Sequence, residues 1–131
     1  MPNRRRPLPG ARESNVGDDF HVLWAARRAL RLLDPRSGLQ RVVMEGVTPL
    51  ERLDSEDHGL LGVDLTEYVG GNNLAEAERV VTTQLKYSTH HPEQAWTDAR
   101  LRERSSRSVL RRLANVYKTF ADERGRAEAI Q

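Results

Sequence analysis

The chain has 131 residues, 37% of them apolar and 31% charged, with a net charge of +2 and no cysteine. That length suits one domain with a modest core, and the missing thiols exclude disulfides, thiolate chemistry and cysteine-ligated zinc. No apolar run approaches the ~20 residues that cross a bilayer, and no apolar stretch of the secretory type follows the basic N-terminus, so a cytoplasmic location is expected.

Charge is unevenly spread. Arg4, Arg5, Arg6 and Arg12 precede the first acid, Glu13, and Arg100, Arg102, Arg104, Arg107, Arg111 and Arg112 cluster around the single acid Glu103. Acids gather in the middle, at Glu51, Glu56, Asp57, Asp64, Glu67, Glu76 and Glu78. Such asymmetry puts a positive surface beside a negative pocket; the plainer alternative is a solvated arginine face.

In chain order, Met1 to Ala11 holds Pro2, Pro7, Pro9 and Gly10 with one leucine, which predicts a disordered basic arm, drawn over residues 1–14. A folded unit is expected over 15–124, with 125–131 a tail or the start of a further segment. Its first helix begins near Gly17-Asp18-Asp19, where acids suit the helix dipole, with Phe20, Leu23, Trp24, Leu30 and Leu33 as its apolar side. Asp34-Pro35-Arg36-Ser37-Gly38 ends it.

Three strands are predicted next. Gln40 to Glu45 is the first, and a polar connector runs from Thr48 to Gly59. The second is Gly62-Val63-Asp64-Leu65-Thr66-Glu67-Tyr68, and the third Val80-Val81-Thr82-Thr83-Gln84-Leu85-Lys86-Tyr87. Both alternate polar residues with β-branched or aromatic ones. Gly70-Gly71-Asn72-Asn73 closes the second strand, with Leu74 to Glu78 in the turn or opening the third. On strands, Gln84 and Lys86 share one face, and Thr66 and Tyr68 share the face of Asp64. His90-His91-Pro92-Glu93 then opens a helical region, and Ser106 is placed to cap a second helix. Val109, Leu113, Val116 and Phe120 give that helix an apolar face, with Gly125 as its stop. Arg100, Arg104, Arg107 and Arg111 share a helical spacing and would form one stripe if a single helix ran unbroken.

That order, with Gly17-Asp18-Asp19-Phe20, the strand ending at Glu45, Val63-Asp64 and Gln84-Leu85-Lys86-Tyr87-Ser88, resembles the PD-(D/E)xK nuclease superfamily. It is closer still to the DNA endonuclease domain of CD-NTase-associated antiphage effectors. The resemblance reaches across residues 15 to 120. It implies an α/β restriction-endonuclease-like core: helix, three-stranded mixed or antiparallel sheet, helix. The family's fourth core strand has no counterpart, which makes the chain read as the N-terminal part of a longer defence protein. Gln84 stands where most of the superfamily has Asp or Glu, as in Mrr-like members. Asp18, Asp19 and His21 stand where Mrr-like enzymes often place a glutamate.

The resemblance implies a Mg²⁺- or Mn²⁺-dependent DNA endonuclease. Asp64 is its principal metal carboxylate, Glu45 the second, and Gln84 an oxygen ligand or a water-orienting group. Mg²⁺ keeps several waters and takes one or two carboxylates, so this set suffices. Lys86 would position the attacking water and offset charge in the transition state. Gly62 would let a nucleic-acid backbone approach, and Tyr87 and Ser88 could donate to phosphate. Arg100, Arg104, Arg107 and Arg111 are the candidate phosphate contacts to double-stranded DNA, positioning it without reading sequence.

Each residue has an ordinary alternative. Asp64 would serve as a turn or cap residue, Gln84 and Lys86 as a strand's wet face, Glu45 as a salt-bridge partner. His90 and His91 lack a third ligand at zinc spacing and suit a turn. Trp24 and Trp96 suit packing, since stacking on a base requires exposure. The competing functions are an inactive nuclease fold that binds nucleic acid or a partner, and a small helix-rich adaptor with incidental charges. A sheet lacking its last strand also leaves an edge open to self-association.

Overall fold

The computed structural model describes residues 10–48, 51, 63–86, 94–102 and 108–130. Helix α1 spans Gly10–Ala29, and 3₁₀ turns at Leu30–Leu33 and Pro35–Ser37 lead into strand β1, Leu39–Met44. Strands β2 (Leu65–Val69) and β3 (Arg79–Thr83), the short helix α2 (Asp98–Leu101) and the long helix α3 (Val109–Ile130) follow. The chain is mixed α/β with a three-stranded antiparallel sheet in the order β1-β2-β3. No helix among the described residues is long and apolar enough to cross a membrane.

The central strand β2 sets the layers. Val42 and Val81 stand opposite Glu67, while Arg41 and Val80 stand opposite Tyr68. Successive residues point to opposite faces, so Leu65, Glu67 and Val69 look one way and Thr66 and Tyr68 the other. Leu65, Thr66, Glu67 and Tyr68 are all buried, so both faces are covered.

Helix α1 covers the Glu67 face. The Arg28 guanidinium grips the Glu67 carboxylate through Nε (3.1 Å to each oxygen) and Nη2 (2.9 Å), and Arg31 Nη1 adds a contact at 3.6 Å. Helix α3 covers the other face. Val80 shares a pocket of about 290 Å³ with Leu74, Tyr117, Phe120, Ala121 and Arg124. Val116 is buried against Val63, with Val47 and Phe120 packed around them.

The ends of the elements are set locally. Asp34 accepts the Arg36 N–H (3.0 Å), capping the second 3₁₀ turn, and Gly38 leaves it at φ +65°. Gly70 turns out of β2 at φ +80°, and a Cβ at Gly71 would lie 2.5 Å from the Glu76 carbonyl carbon, so this tight turn needs glycine. Leu74 to Glu78 lie in the turn, not in β3. Ser108 accepts the Arg111 N–H (3.3 Å) at the head of α3.

Several expectations are corrected here. Helix α1 starts at Gly10, so it takes in Gly10 to Ser14 of the segment read as an arm; residues 1–9 lie outside the described residues. The apolar side assigned to α1 does not all face inward: Leu23, Leu30 and Leu33 are 70%, 65% and 81% exposed. Ala25 is buried and Arg28 turns inward to pair with Glu67, with Arg31 adding a weaker contact on that side. The tighter 3₁₀ winding after Ala29 also shifts Leu30–Leu33 off the α-helical period. Helix α3 runs through Gly125 to Ile130, since glycine inside a helix costs only about 1 kcal/mol. Ser108 is the observed cap; Ser106 lies outside the described residues, as do His90, His91, Pro92 and Glu93.

Glu67 is 2% exposed and Arg28 33%, so losing the arginine strands a carboxylate in the core. We expect Arg28→Ala to lower stability by about 3 kcal/mol and Arg31→Ala by less than about 1 kcal/mol, read from urea midpoints at unchanged slope. The double variant Arg28→Ala/Glu67→Leu should recover most of that loss.

Candidate functional site

The residues read as catalytic gather where the three strands end on one side. Glu45 directly follows β1, Asp64 directly precedes β2, and Gln84 directly follows β3. Beyond the strands the backbones stay bonded: Glu45 N donates to Asp64 O (3.0 Å), Gly46 N to Val63 O (2.9 Å), and Asp64 N to Thr83 O (3.0 Å). Glu45 and Asp64 are thus neighbours across the sheet, with Asp64 in the middle.

The Asp64 side chain reaches the third segment. Its Oδ2 accepts the backbone N–H of Leu85, which lies between Gln84 and Lys86. This corrects one expectation. Gln84 and Lys86 do not lie on a strand, because β3 ends at Thr83 and the Leu85 N–H bonds a side chain in place of the ladder. The shared strand face therefore does not apply to them.

The chemical character of the four differs. Gln84 is half-buried, and its Oε1 is fully buried without a hydrogen-bond partner. A buried acceptor without a donor costs about 1–3 kcal/mol, so this oxygen calls for a donor or a cation. Lys86 is exposed, leaving its ammonium open to an anion. Glu45 is exposed and adopts φ +57°, a left-handed conformation costing a non-glycine residue ~1–2 kcal/mol. Gly46 follows at φ +108°, so the chain bends sharply at the end of β1. Among the described residues no group of three or more His, Asp or Glu side chains comes together. The candidate oxygen set is therefore Asp64, Glu45 and the Gln84 amide.

Beneath this row lies a buried polar network. Thr66 Oγ1 donates to Gly46 O (2.5 Å), and Tyr68 Oη accepts the Thr48 N–H (3.2 Å). Arg41 Nη1 donates to Thr48 Oγ1, and Glu51 Oε1 accepts the Leu74 N–H. Thr66 and Tyr68 are sealed in, not lining a cleft. Burial pushes the Tyr68 phenol up to about 12; the Thr48 N–H opposes this, and the nearby Glu51 charge adds to it. Glu51 is itself raised, first by burial and then by Glu123, against hydrogen bonds from Leu74 N–H and Tyr68.

The remaining candidates are scattered or outside view. Asp18 and Asp19 are exposed on α1, and the His21 ring packs beside Phe20 at 6.2 Å between centroids. Arg100 and Arg111 are exposed, but α2 ends at Leu101 and α3 begins at Val109, so the stripe on one unbroken helix is not formed. Gly62, Tyr87, Ser88, Arg104 and Arg107 lie outside the described residues. Sequence reasoning missed two partnered acids, Glu67 and Glu51. For Glu67 a signal existed: its same-face neighbours on β2, Leu65 and Val69, are both apolar. No protein-family model, curated protein or solved structure matches this chain.

The phenol gives a direct check on the network. With Tyr68 at about 12 in the fold against 10.0 ordinarily, the unfolded chain loses this proton first, so stability falls as pH rises across that interval. Alkaline titration followed by tyrosinate absorbance should show this late step, and Tyr68→Phe should abolish it. The variant should also cost about 1–2 kcal/mol, because Thr48 N–H loses its acceptor.

Proposed function

We propose that the chain is a metal-dependent DNA endonuclease domain that hydrolyses phosphodiester bonds as the effector part of a larger antiphage defence protein. The observation that carries this reading is the Asp64 carboxylate bonded to the Leu85 N–H, which joins the acid just before β2 to the Gln84-x-Lys86 segment. The bond between Glu45 N and Asp64 O supports it by setting a second acid just past the end of the adjacent strand.

The donor set fits a hard divalent cation. Asp64 has a carboxylate oxygen besides the one on Leu85, Glu45 brings a second carboxylate, and the orphaned Gln84 Oε1 is a neutral oxygen in need of a positive partner. Mg²⁺, when bound, supplies Lewis-acid stabilisation of charge on the phosphate and acidifies water. Asp64, oriented by the Leu85 N–H, would hold the cation. Lys86, exposed one residue further on, pairs with the scissile phosphate and steadies the charge that grows on it. Arg100 and Arg111 add contacts to the DNA backbone, without base specificity.

A second reading has its own observation. The Asp64–Leu85 bond is also what a purely structural carboxylate does when it terminates a strand, and the chain would then bind nucleic acid without cutting it.

Plasmid relaxation in Mg²⁺ separates the two. The nuclease reading expects nicking by the wild type and a loss of ~100-fold or more in Asp64→Asn and in Lys86→Ala. Asn keeps an oxygen for the Leu85 N–H, so Asp64→Asn should stay folded. DNA binding by all three proteins without any cutting would establish the binding module instead.

A further inference from the structure

We propose that Trp96 and Arg100 form a stacking platform for an unpaired nucleobase, so that the chain engages single-stranded DNA in preference to intact duplex. This rests on the reading of the chain as a nucleic-acid-binding protein and names the form of DNA it takes.

Trp96 is 39% exposed, and the Arg100 guanidinium carbon lies 4.3 Å from the centroid of its ring. The pair is built by the start of α2. Thr97 caps the helix by accepting the Arg100 N–H (3.4 Å), which brings residue 100 one turn above residue 96. Among the described residues, Ser108 ties the platform to the rest of the fold. Ser108 Oγ donates to Leu101 O (3.2 Å) and accepts from Arg111 N (3.3 Å), drawing α2 onto the head of α3.

That joint also concentrates charge. Asp98 is the single acid among the described residues 94–102 and 108–111, against the exposed Arg100, Arg102 and Arg111. An exposed indole with a guanidinium on its face therefore lies on the same short helix–helix joint as the exposed Arg102 and Arg111. Both groups offer flat π surfaces to a base, and the arginines offer charge to the flanking phosphates. The base in question must be unpaired, because duplex stacking leaves no free face for an indole. Arginine contacts alone would not distinguish strand forms; the tryptophan does. Trp24 does not qualify, being half-buried and packed beside Phe20 at 6.4 Å between centroids.

The test uses Trp24→Phe protein, in which Trp96 is the remaining indole, titrated in EDTA with a single-stranded oligonucleotide and with the same sequence as duplex. Tryptophan emission should quench on the single strand and not on the duplex. Trp96→Ala should weaken single-strand binding about tenfold, with duplex affinity and the salt dependence unchanged. Arg100→Lys keeps the charge and should also weaken the single strand selectively. Equal quenching by both forms, equal losses for both in Trp96→Ala, or no binding of either would overturn the proposal. Without divalent cation the assay is independent of cleavage. Plasmid nicking with an unquenched Trp96 would refute the platform and spare the nuclease.

Discussion

The architecture depends on a single buried carboxylate. Glu67 lies mid-way along the central strand, 2% exposed, where its face of the sheet would ordinarily be apolar. Removing a carboxylate from water costs several kcal/mol unless a partner with matched geometry replaces the hydration. Arg28 does so with its planar fork, and Arg31 adds a second positive charge. The pair fixes which side of α1 meets the sheet. It holds arginines inward and leaves Leu23, Leu30 and Leu33 in solvent, the reverse of what hydrophobicity alone would choose.

The opposite face is organised by side chains that hold backbone groups. Thr66 holds the Gly46 carbonyl, Tyr68 holds the Thr48 amide, and Glu51 holds the Leu74 amide. Together they bind the segment after β1 down onto β2. This clamp is why Glu45 stays beside Asp64 even though the chain bends out of β1 at a left-handed residue. The candidate site is thus a consequence of the core: charge on one face places the helix, and polar pairing on the other places the acids.

Much of this was legible in the sequence, and the failures share one physical origin. The alternation of Leu65 to Val69 and the apolar spacing from Val109 to Phe120 gave β2 and α3, because burial imposes those periods directly. The Asp-Pro and Gly-Gly turns were readable for the same local reason. What periodicity could not show was which polar groups pair. Alternation placed Glu67 without its arginines, since partners 39 residues apart leave no local mark. It also extended β3 through Gln84 to Tyr87, because nothing in that run announces that Asp64 will take the Leu85 N–H. Helix α1 was misjudged for a related reason: counting apolar residues overlooks an inward face made of alanine and arginine. The site residues were found by their order along the chain, and the structure brings Glu45 and Asp64 together by backbone pairing and Asp64 to the Gln84–Lys86 segment by a side-chain bond.

On the proposed reading Asp64 and Gln84 form a cation site and not merely the end of a sheet. Calorimetric titration of the chain with Mn²⁺, without DNA, tests it most directly. Saturable binding is expected, disappearing in Asp64→Asn and weakening in Gln84→Leu, with helical content unchanged in both. No binding by the wild type, or equal binding by Asp64→Asn, would contradict it and leave Asp64 as a structural acceptor for Leu85.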